Sequence, residues 1–196
     1  MVCMRVVAVV LAAGEGRRMG GPKALALYRG TSFLAHACGL LARPGVAAVI
    51  AVIGAEAARV RSEAHVPEAV TLVENDAWTD GMLSSVWRGL DAAESLGAEA
   101  VLLHPVDHPL VAPETVDRVV GALEQGAFAA APTHAGRRGH PGGFGRDAFA
   151  ALRAAPPDQG ARAVLARHPE RVIHVEGDPG CRVGLDTPDE YRRALA

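Results

Sequence analysis

Unbroken apolar runs of strand length recur along this chain, separated by stretches with helical spacing, and that alternation restricts the fold more than any other feature. A strand that reads apolar at every position must be covered on both faces, the condition of a parallel sheet between two layers of helices. The runs lie at 5–11, 46–53, 70–73 and 100–103, with 127–131 and 171–175 as further strands. Leu34, Cys38 and Leu41 share one face of a helix that starts at Thr31 or Ser32 and stops before Pro44. A short helix is expected over 56–64. Met82, Val86, Leu90 and Ala93 form the stripe of a helix ending near Gly97, and Val116, Val119, Val120 and Leu123 that of a helix between Pro113 and Gly126. The segment THAGRRGHPGGFGR, 133–146, reads as a turn or hairpin, and helical segments flank PPDQG. Thr187, Pro188 and Glu190 stand as N-cap, N1 and N3 of a last helix.

With no internal repeat and no long linker, the expectation is one domain over 1–196: a three-layer α/β/α, mostly parallel, Rossmann-like fold. At 196 residues and 49% apolar content the chain can bury a sizeable core. Its 20 Lys plus Arg against 22 Asp plus Glu leave a formal charge of -2, which argues against a nucleic-acid partner held by bulk positive charge. The apolar stretches at 6–13 and 46–55 fall short of the roughly 20 residues of a membrane-spanning helix. The first leads into GEGRRMGGPK, which is no signal-peptide cleavage region. A cytoplasmic protein with no membrane partner is expected. Cys3, Cys38 and Cys181 match no zinc spacing, so reduced thiols are expected too.

Open α/β sheets bind ligands beyond the carboxyl ends of their strands, so the chemistry should follow each run. LAAGEGRRMGGPK, 11–23, does so after the first: its glycines let backbone N–H groups approach anionic oxygens, and Arg17, Arg18 and Lys23 add charge suited to a polyphosphate. It is neither a dinucleotide fingerprint, because Met19 stands at the third glycine position, nor a Walker A loop, because Pro22 and Lys23 follow Gly21. HPVDHPLV, 104–111, puts Asp107 after a buried strand, where a carboxylate can hold Mg²⁺ against nucleotide phosphates.

The loop at 11–23 fits L-A-A-G-x-[SG]-x-R-M-G-x-x-K and resembles the signature of nucleotidyltransferases that make CDP or GDP adducts. It is most similar to the molybdenum cofactor cytidylyltransferase branch, with Ala13 where the guanylyl relative has glycine. NDAWTDGMLSSVWRGL (75–90), GRRGHPGGF (136–144), DQGARAVL (158–165) and GLDTPDEY (184–191) resemble further segments of that family. Two positions depart from it: His108 stands where glutamine is common, and Gly184 where the family has aspartate.

The resemblance implies a nucleotidyltransferase (GT-A-like) fold and a Mg²⁺- or Mn²⁺-dependent transfer of CMP from CTP to a phosphate-bearing acceptor, molybdopterin or the molybdenum cofactor. Arg18, Lys23 and Asp107 are the implied catalytic residues, and Asp107 and Asp186 the implied metal ligands. Leu11, Ala12, Ala13, Gly14, Gly16, Arg18, Lys23, Asn75, Gly81, Ser84 and Ser85 would bind the nucleotide, and Arg137, His140 and Arg162 the acceptor. A molybdoenzyme client is implied as well. Related folds use sugar phosphates or methylerythritol phosphate, and a non-catalytic accessory that delivers cofactor to a molybdoenzyme is the alternative from another class.

Overall fold

The computed structural model describes residues 4–195. In chain order its first half contains β1 (Val6–Ala12), β2 (Leu27–Tyr28), β3 (Thr31–Ser32), α1 (Phe33–Leu41), β4 (Val46–Ile53), α2 (Ala57–Glu63), β5 (Thr71–Glu74) and α3 (Met82–Ser95). The second half contains β6 (Ala100–Pro105), α4 (Pro113–Glu124), β7 (Ala129–His134), β8 (Arg137–Arg138), β9 (Gly142–Gly145), α5 (Phe149–Arg153), α6 (Arg162–Arg167), β10 (Val172–Glu176) and α7 (Pro188–Leu195). The main sheet has the order β10-β7-β9-β6-β1-β4-β5, with β8 pairing β7. Its pairs are parallel except those made by β8 and β9.

Every residue of β1 is buried, and the two faces of the strand explain why. Val6, Ala8, Val10 and Ala12 join a core with α1, α2 and α4, while Val7, Val9 and Leu11 join another with α3, α5 and α6. This is the α/β/α layering expected of unbroken apolar runs. Local chemistry sets the ends of the helices. The Ser32 hydroxyl accepts from the Ala35 N–H at 3.1 Å to cap α1, and Pro113 opens α4 where no intrahelical N–H is needed. At α7, Glu190 accepts from the Thr187 N–H at 2.9 Å and Thr187 Oγ1 from the Glu190 N–H at 3.3 Å, the reciprocal box read from the sequence.

Three readings of the sequence need correction. The segment GGFG is an internal strand, β9, paired antiparallel to both β6 and β7. Its glycines reflect packing: a Cβ on Gly143 would sit 2.8 Å from Val119 Cγ1 on α4, so only a bare backbone fits under that helix. The stripe of α3 starts at buried Leu83, because Met82 is 62% exposed at the helix start. The strand expected over 127–131 is displaced to Ala129–His134, since Ala127 and Gly126 complete the turn out of α4. Cys38 and Cys181 are buried free thiols, and Cys3 lies outside the described residues. No helix among the described residues is long and apolar enough to cross a membrane.

Candidate active site

The chain steps from β1 to β4 to β5 on one side of β1 and then returns to place β6 on the other. The carboxyl ends of β1 and β6 therefore flank a topological switch point, and the loop after each carries charged residues into it. After β1 the chain turns at Gly16, whose φ of +65° is followed by a short helical turn over Arg17–Met19. A Cβ on Gly16 would lie 2.9 Å from the Lys23 backbone nitrogen, so glycine is needed for both the torsion and the close return of the loop. For Gly16→Ala we expect a strain of about 1–2 kcal/mol, read as roughly tenfold weaker nucleoside triphosphate binding by calorimetry with an unchanged circular dichroism spectrum. An unchanged affinity would show that the loop does not contact nucleotide.

A second turn at Lys23–Leu25 returns the Lys23 side chain under the loop. Its ammonium donates to Asp107 Oδ2 at 2.7 Å and to Asp186 Oδ1. Asp107 follows β6, and Asp186 precedes α7 on a loop tied back by the Leu185 N–H donating to the Asp107 carbonyl at 2.8 Å. The Asp186 N–H donates to Glu190 at 2.9 Å, which fixes the backbone from which the Asp186 carboxylate meets Lys23. Burial alone would raise the Asp107 carboxyl, but the hydrogen bond and charge of His108, followed by those of Lys23, hold it well below the usual carboxylate range. Burial would lower the Lys23 ammonium, yet its bonds to Asp107 and Asp186 raise it. Both groups are thus charged at neutral pH.

Two carboxylates converging on one cation are the donor set Mg²⁺ uses when phosphate oxygens and water complete its shell. Asp107 and Asp186 fit that role. Among the described residues no group of three or more His, Cys, Asp or Glu is arranged to hold a metal.

These groups line a cavity of about 550 Å³ whose wall includes Leu11, Ala13, Gly14, Gly16, Arg18, Lys23, Gly81, Ser85, Asp107 and Asp186. Arg18 has no ion-pair partner among the described residues, whereas Arg17 is held by Glu15 at 2.6 Å. Three expected nucleotide contacts do not reach this wall. Ala12 is buried within β1, facing the helices. Asn75 is buried and donates to Ser84 Oγ at 2.9 Å and Ser85 Oγ at 3.0 Å, and Ser84 in turn donates to the Ala77 and Gly81 carbonyls. Asn75 and Ser84 therefore brace the turn that presents Gly81 and Ser85. Trp78, Thr79, Met82 and Pro105 also line the cavity and were missed. Trp78 and Met82 stand inside a motif already singled out, so the signal was there.

A second, largely apolar cavity of about 350 Å³ shares Leu11, Met82 and Pro105 with the first and contains His140, Phe144 and Arg162. Arg137 is exposed on β8 and lines neither cavity. His140 packs edge-on against His108, ring centroids 4.6 Å apart, and His108 lies 6.4 Å from fully buried His104. Neither ring nitrogen of His104 has a partner in the described structure. Burial, then the charges of His140 and His108, push His104 down to about 3, and burial followed by His108 pushes His140 down to about 4. Between pH 6.5 and about 4 the unfolded imidazoles bind protons that the folded ones refuse, so stability must fall on acidification. Each group contributes a slope of up to about 1.4 kcal/mol per pH unit. Urea unfolding at several pH values should show this loss, and His104→Leu should flatten the slope; an equally steep slope in that variant would contradict the assignment.

The domain model described as "MobA-like NTP transferase domain" matches residues 8–172. The chain belongs to this family. It is accordingly a nucleotidyltransferase. This MobA-like transferase is 33% identical over 97% of its length to "nicotine blue oxidoreductase" from Paenarthrobacter nicotinovorans, 96% of which is covered. It is 30% identical, also over 97% of its length, to the molybdenum cofactor guanylyltransferase of Rhodobacter capsulatus, 95% of which is covered. A 2-C-methyl-D-erythritol 4-phosphate cytidylyltransferase from Cereibacter sphaeroides is 40% identical over 65% of this chain and 57% of its own. The crystal structure of Rv0371c from Mycobacterium tuberculosis superposes with a TM-score of 0.84, at 29% identity and 99% coverage of both chains. Its manganese complex gives 0.72 at 27% identity and 98% coverage of both.

Proposed function

We propose that this MobA-like transferase moves CMP from CTP onto the terminal phosphate of molybdopterin or the molybdenum cofactor, releasing pyrophosphate. The observation that carries the reading is the shared wall of Leu11, Met82 and Pro105 between a charged cavity and an apolar one. A triphosphate in the first and an acceptor in the second would meet at that wall. The apolar lining around His140 and Arg162 suits a flat heterocyclic body with an anionic end. Ala13, which lines the nucleotide cavity where the guanylyl relative has glycine, is the residue on which the choice of the pyrimidine base rests.

In this reading the backbone of Leu11, Ala13, Gly14 and Gly16 cradles the nucleotide, while Ala12 holds the strand beneath it. Gly81 and Ser85 meet the base or ribose, supported by Asn75 and Ser84. An oxygen of the acceptor phosphate attacks the α-phosphorus of CTP, the bond from that phosphorus to the β-phosphate oxygen breaks, and pyrophosphate leaves. Lys23 and Arg18 stabilise negative charge on the triphosphate and the departing group, and His140 and Arg162 orient the acceptor. Arg137 lies outside both cavities and is given no contact with the acceptor. Asp107 and Asp186 would hold Mg²⁺ or Mn²⁺, which supplies charge neutralisation at the phosphates. The dinucleotide product implies a molybdoenzyme client in the cytoplasm.

Pyrophosphate release measured with Mg²⁺ and each of CTP, GTP, ATP and UTP, with and without molybdenum cofactor, tests this reading. Release that requires both CTP and the cofactor is expected. Equal release with GTP would remove the base assignment, and activity with a sugar 1-phosphate but not the cofactor would remove the acceptor.

A further inference from the structure

Both oxygens of Asp107 are engaged: Oδ2 accepts from Lys23 at 2.7 Å, and Oδ1 meets His108 Nδ1 at 2.8 Å. A carboxylate only accepts, so Nδ1 carries the proton and the opposite edge of the imidazole is turned elsewhere. That edge faces Gly184, where a Cβ would lie 3.2 Å from His108 Cε1 and 3.5 Å from Nε2. Gly184 has no positive φ, so its backbone does not itself require glycine. A side chain there would press on the ring first, with Asp186 Oδ2 next at 3.9 Å, an ordinary van der Waals distance. From another direction the His140 ring packs edge-on at 4.6 Å, and only 14% of the His108 side chain is exposed. The imidazole is therefore wedged between Gly184 and His140 with one nitrogen bonded to the carboxylate.

We propose that His108 is a positioning residue that fixes the Asp107 carboxylate for a divalent cation, and that position 184 is glycine to leave room for its ring. The inference rests on the reading of Asp107 as a cation ligand. A side chain at 184 presses on the ring and turns Nδ1 off Asp107, so the two positions are coupled through the imidazole. Residues that orient metal ligands in this way typically change affinity when replaced, without touching the ion themselves.

The test is Mn²⁺ binding in the presence of CTP, followed by the electron paramagnetic resonance signal of free Mn²⁺ after the uptake by the same concentration of CTP alone is subtracted. In His108→Phe, which keeps a ring and loses the donor, affinity should fall about 10–100-fold. His108→Asn, which offers an amide N–H where Nδ1 stands, should restore most of it. Gly184→Ala should weaken Mn²⁺ binding when His108 is present. In the double variant His108→Asn/Gly184→Ala, where the smaller amide replaces the ring, the same change should have little effect, a non-additive cycle. A simple loss of folding would not give rescue by asparagine or this coupling. Unchanged affinity in His108→Phe, or an equal cost of Gly184→Ala in both backgrounds, overturns the inference while the cation reading stands. Absence of Mn²⁺ binding by the unaltered protein with CTP overturns the cation reading and this inference together.

Discussion

Lys23→Met should lower pyrophosphate release by about 10²–10³-fold and, in the same protein, tighten Mn²⁺ binding when no nucleotide is present. The opposite signs follow from one contact. The Lys23 ammonium occupies the oxygens of Asp107 and Asp186 that a divalent cation would need, so removing it frees both carboxylates. With nucleotide bound, the same ammonium would help to balance triphosphate charge alongside Arg18 in the same cavity, and its loss would slow transfer. Methionine keeps an unbranched apolar stem, so the half-buried packing of the side chain survives. A general structural defect would weaken metal binding and turnover alike. A normal rate would remove Lys23 from the phosphate role, and weaker Mn²⁺ binding would contradict the competition.

Asp107→Asn is the second large effect expected. The amide keeps the shape of the carboxylate and can still accept from His108, but it loses the charge that a hard cation requires. Metal-dependent turnover should fall by about 10²–10³-fold, with the Mg²⁺ concentration for half-maximal rate raised. Folding should persist, because Lys23 keeps Asp186 as its partner. Full activity at the same Mg²⁺ concentration would sink the assignment of Asp107 to the metal.

The parallel layering was legible because β1 and β6 are buried along their whole length and β4 over its last five residues, and His104 is the single polar side chain in the three strands. Pro113 and Gly126 bracket α4 by mechanisms that act locally, so its limits could be read directly. The strand β9 could not, because glycine is read as a turn former unless one knows that α4 presses on the sheet at that point. Lys23, Asp107 and Asp186 were each visible in a motif, but Lys23 is 84 residues from Asp107 and 163 from Asp186, and no local spacing reports their meeting. Asn75 and Ser84 show the converse. Their polarity suggested ligand contact, whereas the hydrogen bonds they make are spent on the turn beneath Gly81.

The central claim is nucleotidyl transfer at the Lys23–Asp107–Asp186 site, and the most direct measurement follows the two ends of one nucleotide. CTP labelled with ³²P at the α-phosphate, and separately at the γ-phosphate, is incubated with Mg²⁺, the protein and molybdenum cofactor. The account predicts that the α label moves to the acceptor and the γ label leaves in pyrophosphate, with both transfers lost in Asp107→Asn. Transfer of the γ label to the acceptor, or retention of both labels on CTP while the acceptor is consumed, would contradict it.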